Sequence, residues 1–124
     1  MSDMIYTVPQ LAKEFGLTER AIRFYESKDL ISPQRAGTTR VFNRKDRARL
    51  IVIIRAKNVG FSIGEIKEYL DLYDLDPKHK KAFQVGIKAV KDRIKLLKKK
   101  KIEIDSMIED LNMINKHLNT GFYK

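Results

Sequence analysis

The sequence contains no cysteine and only two histidines among its 124 residues. Without cysteine, the chain can form neither a disulfide nor a thiolate ligand for a metal ion or an iron–sulfur cluster. His79 and His117 lie far apart in the sequence and have no clustered acidic or nucleophilic partners. No glycine-rich loop that could cradle a phosphate group is present. We therefore predict no metal site, no cofactor and no enzymatic activity.

The chain also lacks long apolar runs and a recognisable N-terminal signal pattern. Its apolar residues make up 43% of the sequence, which is enough for a packed core. We therefore expect a soluble cytoplasmic protein that does not enter a membrane, built as one small domain with an accessory element.

Acidic residues are scarce relative to basic ones, with 16 against 26 and a net charge of +10. The excess falls in two regions: residues 20–57 hold 11 basic and 3 acidic residues, and residues 76–124 hold 13 and 6. Such a balance indicates an anionic partner, such as nucleic acid or a membrane surface. We interpret the lysine run 98–101 as a solvated helix face, with direct DNA contact as the alternative.

The first part of the chain has the pattern of two short helices joined by a tight turn. Thr7 can cap the first helix, Pro9 is tolerated in its first turn, and Gly16 ends it in the left-handed conformation. Thr18 then caps a second helix that ends near Asp29. This order predicts a helix-turn-helix, whose second helix enters the DNA major groove. Residues 1–6 are expected to be a loose start.

The second helix divides its side chains between a core and an outer face. Ala21, Ile22 and Tyr25 recur at helical spacing and are predicted to point inward. Arg20 and Phe24, with Arg23 in part, point elsewhere, and arginine supplies forked donors suited to phosphate or guanine. A surface helix with solvated arginines is the alternative interpretation.

Residues 34–42 are predicted to form a small β-hairpin with its tip near residues 36–39. Arg35 and Arg40 flank this tip, so the hairpin could contact the phosphate backbone beside the helix. We call this hairpin the wing. A surface loop without a ligand is the alternative.

Two further helices follow, over residues 44–58 and 63–73, capped by Asn43 and Ser62. Predicted buried positions are Leu50, Ile51, Ile53 and Ile54 in the first, and Ile66, Tyr69, Leu70 and Tyr73 in the second. Arg44, Lys45, Arg47 and Arg49 are expected to form mostly the solvated face of the first.

A long helix is predicted from Pro77, behind an Asp76 cap, to Leu118, followed by a short tail over residues 119–124. Its apolar residues step by four and three positions, as in a coiled coil. The predicted seam contains Phe83, Ile87, Val90, Ile94, Leu97, Ile104, Ile108, Leu111 and Leu118. A second register runs through Ile104, Met107, Leu111, Ile114 and Leu118. We expect two such helices to pair between subunits, and a helix folded back on its own domain is the alternative.

In this order of elements the chain resembles the MerR family of bacterial transcription regulators. The resemblance lies in residues 6–12, 18–26 (Thr-Glu-Arg-Ala-Ile-Arg-Phe-Tyr-Glu), 30–33, 35–42 and 60–66. The finer pattern at 38–42 and 72–74 is similar to a branch that controls branched-chain amino-acid and acyl-CoA degradation operons.

The resemblance implies an all-α fold with a small β wing: a winged helix-turn-helix domain over residues 1–75 and an antiparallel coiled-coil dimerisation helix over 76–118. It implies a homodimer on an inverted-repeat promoter operator, which it distorts so that RNA polymerase can act. The DNA contacts that the resemblance implies are Arg20, Arg23 and Tyr25 on the helix, Arg35, Arg40 and Phe42 on the wing, and Arg55, Lys57 and the Gly60–Ser62 turn as further backbone supports. We add Thr18, Phe24 and Thr39 as predicted DNA contacts.

Two alternatives to a sequence-specific regulator remain at this point. A non-specific architectural DNA-binding protein would also carry a charge of +10. A protein-interaction module would use the coiled coil alone, but the arginine-rich outer face argues against it. Neither the operator nor a small-molecule effector can be identified from the sequence.

Overall fold

The computed structural model describes residues 4–121 and contains five helices and three short strands in that range. In chain order they are β1 Tyr6–Thr7, α1 Val8–Phe15, α2 Glu19–Ser27, β2 Gln34–Ala36, β3 Thr39–Phe42, α3 Arg44–Asn58, α4 Ile63–Leu75 and α5 Lys80–Thr120. The chain divides into two compact units between Ala82 and Phe83, and each is described by itself below. The predicted class, helical with a small β wing, is confirmed.

The starts of α1 and α2 are fixed by capping side chains. The Thr7 hydroxyl accepts the Gln10 amide, and the Thr18 hydroxyl accepts the Ala21 amide at 3.0 Å. Gly16 adopts φ +65°, where a side chain would be strained, and this ends α1. The predicted helix-turn-helix is therefore present, with the predicted caps.

The sheet has three antiparallel strands in the order β1-β3-β2. Tyr6 lies opposite Phe42, and Arg35 lies opposite Arg40. The expectation of a loose start is therefore wrong for Tyr6, which pairs with the wing. Residues 1–3 lie outside the described residues. The pairing of β1 attaches the wing to the start of the helix-turn-helix.

The core of the first unit lies where α1, α2, β3 and α3 meet. Its fully buried large side chains are Leu11, Ile22, Leu30, Phe42, Leu50 and Ile53. Ile66 and Leu70 add the inner face of α4. Each such side chain stabilises the fold by about 1.5–3 kcal/mol relative to remaining in water. The core thereby holds α2 by its inner face and leaves the opposite face outside.

Asp46 is the buried charged residue of this core region, and its carboxylate has several backbone donors. It accepts the amides of Ser32 and Asn43, both at 3.2 Å, while the Asn43 side chain accepts the Asp46 amide at 2.9 Å. These bonds cap α3 and fix the loop that precedes the wing.

The expectation that the arginines of α3 form a solvated face is wrong for Arg47 and Arg49. Arg47 forms an ion pair with Glu14 of α1, and its guanidinium lies over the ring of Phe15. The Arg49 side chain is only 13% exposed; its Nε donates to the Leu30 carbonyl at 2.7 Å, and it pairs with Asp74 at 2.7 Å. Both arginines therefore connect separate elements of the unit.

The start of the long helix differs from the prediction. Helix α5 begins at Lys80, not at Pro77, because the Asp76 carboxylate accepts the amides of Lys78 and Lys80, both at 3.0 Å. The residues between form a turn in which His79 adopts φ +56° and stacks on Tyr73, with ring centroids 3.6 Å apart. Asp76 thus caps α5 as expected, but the helix begins three residues later than predicted.

Helix α5 has 41 residues, which corresponds to about 62 Å at 1.5 Å per residue. It continues to Thr120, so the predicted break at Asn119 is wrong, and Gly121 follows with φ +76°. Residues 122–124 of the predicted tail lie outside the described residues. The predicted seam residues are between 43% and 63% exposed, which leaves one apolar face of the second unit uncovered.

Candidate nucleic-acid interface

The outer face of α2 presents cationic and aromatic side chains. Arg20, Arg23 and Phe24 are exposed, whereas Ile22 is fully buried. Glu19 pairs weakly with Arg23 at 3.7 Å. The Lys28 ammonium lies 5.6 Å from the centre of the Phe24 ring and adds a further cation beside this face. As predicted, α2 therefore has an inner face with Ile22 and an outer face with Arg20, Arg23 and Phe24.

Tyr25 combines a buried ring with an accessible hydroxyl. The residue is 9% exposed, and its ring packs edge-on against Phe24 at 5.9 Å. Within residues 4–121, every buried side-chain polar atom has a hydrogen-bond partner, and none is recorded for the Tyr25 hydroxyl. The hydroxyl therefore reaches solvent and can donate to a phosphate oxygen.

The tip of the wing is a two-residue turn, Gly37-Thr38, between the paired Ala36 and Thr39. Gly37 has φ +66°, which glycine adopts without strain. Arg35 donates from one terminal nitrogen to the Thr38 carbonyl at 3.2 Å, and Thr39 is exposed. The tip therefore presents Arg35 in a defined orientation.

Arg40 connects the wing to α2 through an ion pair with Glu26. Its Nε donates to the Glu26 carboxylate at 2.7 Å, and the two side chains are 32% and 24% exposed. Arg35 lies directly opposite Arg40 in the sheet, a pairing of like charges that is unfavourable alone. Glu26 supplies the opposite charge that offsets this repulsion.

The prediction that Phe42 contacts DNA is wrong in this structure. The side chain is 0% exposed and belongs to the core. Strand side chains alternate in direction, and β3 turns Phe42 toward the core beside Tyr6. Phe42 therefore attaches the wing to the hydrophobic core.

Arg55 and Lys57 are exposed in the last turn of α3. Arg55 borders a shallow depression that Phe15, Ile51 and Ile54 also line. Both cations are therefore accessible to a ligand.

Sequence reasoning missed the acidic partners that hold the cationic elements in place. Glu26 fixes Arg40, and Glu14 fixes Arg47, whose hydrogen bond keeps the pKa of Glu14 below its ordinary value. Glu26 could have been found from its place in the Arg-Phe-Tyr-Glu sequence, residues 23–26. No local signal points to Glu14, which is 33 residues from its partner.

The described part of the chain has neither a candidate metal centre nor a membrane-spanning helix. Between residues 4 and 121, no group of three or more histidine, aspartate or glutamate side chains is placed to hold a metal ion. None of the described helices combines the length and the apolar character needed to cross a membrane.

Comparison with known families gives two overlapping matches. The family described as MerR HTH family regulatory protein matches residues 6–73, and the family described as MerR, DNA binding, matches residues 47–120. The first covers the helix-turn-helix, the wing, α3 and most of α4. The second adds α5.

Individual proteins agree with these matches. The HTH-type transcriptional regulator CueR of Yersinia pestis is 34% identical over 113 residues, covering 90% of this chain and 74% of that protein. The N-terminal part of the Bacillus subtilis multidrug transporter activator, MtaN, has a TM-score of 0.68 at 30% identity, covering 86% and 94% of the two chains.

A solved structure of HiNmlR, a MerR family regulator lacking the sensor domain, bound to promoter DNA, has the same fold. Its TM-score is 0.70 at 21% identity, and the match covers 95% of this chain and 96% of that one. Since the family matches span more than half of the sequence, the assignment does not depend on this likeness. The chain belongs to the MerR family of helix-turn-helix regulators and is a DNA-binding transcriptional regulator, not an enzyme.

Proposed function

We propose that the protein acts as a homodimer on an inverted-repeat operator, with one α2 in the major groove of each half-site and the wing alongside. The proposed groove and backbone contacts on α2 are Thr18, Arg20, Arg23, Phe24 and the Tyr25 hydroxyl. The proposed wing contacts are Arg35 and Thr39, with the terminal nitrogens of Arg40. Arg55 and Lys57 are proposed as backbone contacts from α3.

The observation that carries this proposal is the ion pair between Arg40 and Glu26. It joins the wing to the helix whose outer face holds Arg20, so the two surfaces keep a fixed spacing. Fixed spacing allows one surface to set the register on the phosphates while the other reads base edges. A non-specific binder gains nothing from such alignment, which favours specific recognition over the architectural alternative.

The proposal of a dimer rests on the uncovered apolar face of α5. Its seam residues are about half exposed, and a helix of 41 residues with such a face requires a partner. A second copy is a suitable partner because the spacing of the seam matches a coiled coil.

Charge favours the antiparallel orientation of the two helices. The segment Lys80–Lys101 holds ten basic residues and one acidic residue, while Ile102–Thr120 holds one basic and four acidic residues. An antiparallel pair sets the basic half of each helix beside the acidic half of the other. A parallel pair would instead set like charges together, which is destabilising.

We further propose that binding distorts the promoter and thereby acts on RNA polymerase indirectly. Bending a site of 20–30 base pairs costs on the order of 1–6 kcal/mol, which added backbone contacts offset. The relatives described above do not support the similarity to the branch controlling branched-chain amino-acid and acyl-CoA degradation. That similarity stays a prediction from the sequence. No effector is assigned.

The test is to incubate the protein with random double-stranded DNA at about physiological salt and to sequence the retained fraction. We expect an enriched inverted repeat. Arg20→Ala should reduce the preference for that repeat, while Arg35→Ala should weaken all sequences alike and lower the salt slope by about 1. Retention without any enriched repeat would support the architectural alternative.

A further inference from the structure

The first half of the predicted seam and the second register of the later half together form a seam of ten apolar residues that is symmetric about the middle of α5. Counting back from Leu97, apolar residues lie 3, 7, 10 and 14 positions away, at Ile94, Val90, Ile87 and Phe83. Counting forward from Ile104, apolar residues lie at the same separations, at Met107, Leu111, Ile114 and Leu118. All ten belong to one continuous helix and are 43–63% exposed.

This symmetry selects one register for an antiparallel pair. When Leu97 faces the partner subunit's Ile104, every apolar residue of the first half faces an apolar residue of the partner's second half. The uninterrupted heptad register through Ile108 is less favourable, because it places Asn115 in the seam. In the mirrored register the twofold axis passes between Lys100 and Lys101.

Lys100 and Lys101 lie on the face that carries the seam. They follow Leu97 by three and four positions and precede Ile104 by four and three, so they occupy the intervening turn on the same side of the helix. The twofold axis brings both lysines of the partner subunit to the same place. Four ammonium groups therefore surround the axis, while Lys98 and Lys99 of each chain lie two and one positions before Lys100, on other sides of the helix.

The protein provides little negative charge to balance this cluster. Among the described residues, no ion pair includes any of the four lysines 98–101. Glu103 is the one carboxylate in the sequence between Asp92 and Asp105. The proposed dimer thus has eight lysines near the axis and four nearby carboxylates, those of Glu103 and Asp105 in each chain. The repulsion between these ammonium groups opposes dimerisation unless an anion neutralises it.

We propose that the twofold axis of the dimer is a binding site for a small anion carrying several phosphate groups, held by Lys100 and Lys101 of both subunits. The inference rests on the homodimer proposed above, since neither chain alone completes the site. Bound anion strengthens the dimer, because it interacts with the associated state and not with separated helices.

The chemistry of the cluster defines the class of ligand. Lysine binds phosphate as a point charge without demanding a fixed geometry. The neighbouring seam residues, Leu97 and Ile104, are aliphatic and offer no hydrogen bonds to a nucleobase. Tripolyphosphate and a nucleoside triphosphate are therefore expected to act alike, while a nucleoside without phosphate has no effect.

The experiment is to measure the dissociation constant of the full-length dimer by sedimentation equilibrium, with and without tripolyphosphate, at constant ionic strength set with chloride. We expect tripolyphosphate, and ATP as a second probe, to lower this constant by about tenfold at concentrations ten times that of half-saturation. Adenosine serves as the negative control. A dimer that forms equally well with and without tripolyphosphate overturns the proposal.

Two double variants separate this site from general charge effects. Lys100→Gln with Lys101→Gln should tighten the dimer in chloride and abolish the response to tripolyphosphate. Lys91→Gln with Lys95→Gln removes the same charge from the same helix, away from the axis, and should keep the response. Equal responses of both variants would overturn the site while leaving the dimer intact. A chain that stays monomeric in every condition would overturn the dimer proposal itself, and with it this site.

Discussion

Arg40 on the wing and Glu26 in the last turn of α2 are joined by a hydrogen-bonded ion pair, with 2.7 Å between Nε and the carboxylate oxygen. The two residues are 14 positions apart in the chain, and the pair links the sheet directly to the helix that we propose enters the major groove. Arg40 is therefore a positioning residue at its Nε, whatever its terminal nitrogens contact.

Glu26→Gln should loosen the wing without removing a DNA contact. We expect the preference for operator over random DNA to fall roughly fivefold, which corresponds to about 1 kcal/mol for a partly exposed ion pair. Affinity for both DNAs, measured by fluorescence anisotropy, checks this. Glu19→Gln is the matched control, because it removes the same charge from the same helix but leaves the wing attached. If both variants lose the same preference, Arg40 does not position the wing.

Two phenylalanines should respond in opposite ways to truncation. Phe42 is fully buried, so Phe42→Ala should lower the free energy of unfolding by about 3–5 kcal/mol. Phe24 is 46% exposed, so Phe24→Ala should cost less than about 1 kcal/mol of stability and should weaken operator binding. Urea denaturation and anisotropy measure the two effects. Unchanged operator affinity in Phe24→Ala would remove this residue from the interface.

The natural absence of cysteine makes the helix orientation directly testable. A chain with both Leu97→Cys and Ile104→Cys should form a disulfide-linked dimer under mild oxidation, because the register that we propose sets these positions opposite each other. Leu97→Cys alone should not, since the two copies would lie about 10 Å apart along the axis, beyond disulfide reach. Non-reducing electrophoresis distinguishes them. Efficient cross-linking of the single variant would indicate a parallel pair.

The cap of α5 should make stability depend on pH. Hydrogen bonds from the backbone amides, that of Lys78 above all, lower the pKa of Asp76 below its ordinary value of 3.8. Because the folded pKa is the lower one, this contribution is fully present above pH 3.8 and is lost as pH falls through the folded value. The difference in urea midpoint between wild type and Asp76→Ala should therefore shrink on acidification below pH 3.8. A difference that does not change with pH would contradict the role of the charged cap.

Local signals were sufficient to predict the helices of the first unit. Thr18 caps α2 because its hydroxyl reaches an amide three residues ahead, and Gly16 ends α1 because it tolerates a positive φ. Both effects act within a few residues and are visible in the sequence. The inward Ile22 and the outward Phe24 followed from helical spacing in the same way.

Contacts between distant parts of the chain could not be predicted. Tyr6 pairs with Phe42 across 36 positions, and Arg49 reaches both Leu30 and Asp74. No residue close to them in the sequence indicates these partners, because arginine is mostly exposed in proteins and tyrosine is found both inside and at the surface. Phe42 was assigned to DNA through the family pattern, while its burial depends on which face of β3 meets the core.

The two edges of the sheet have a consequence for how copies of the protein meet. β1 has two residues and β2 has three, all three of them exposed and one of them Arg35. Short edges that carry charge give an incoming strand few backbone groups to pair with and repel a second basic chain. The sheet is thus protected against strand-to-strand aggregation, and the apolar face of α5 is the surface through which we propose that two copies pair without forming polymers.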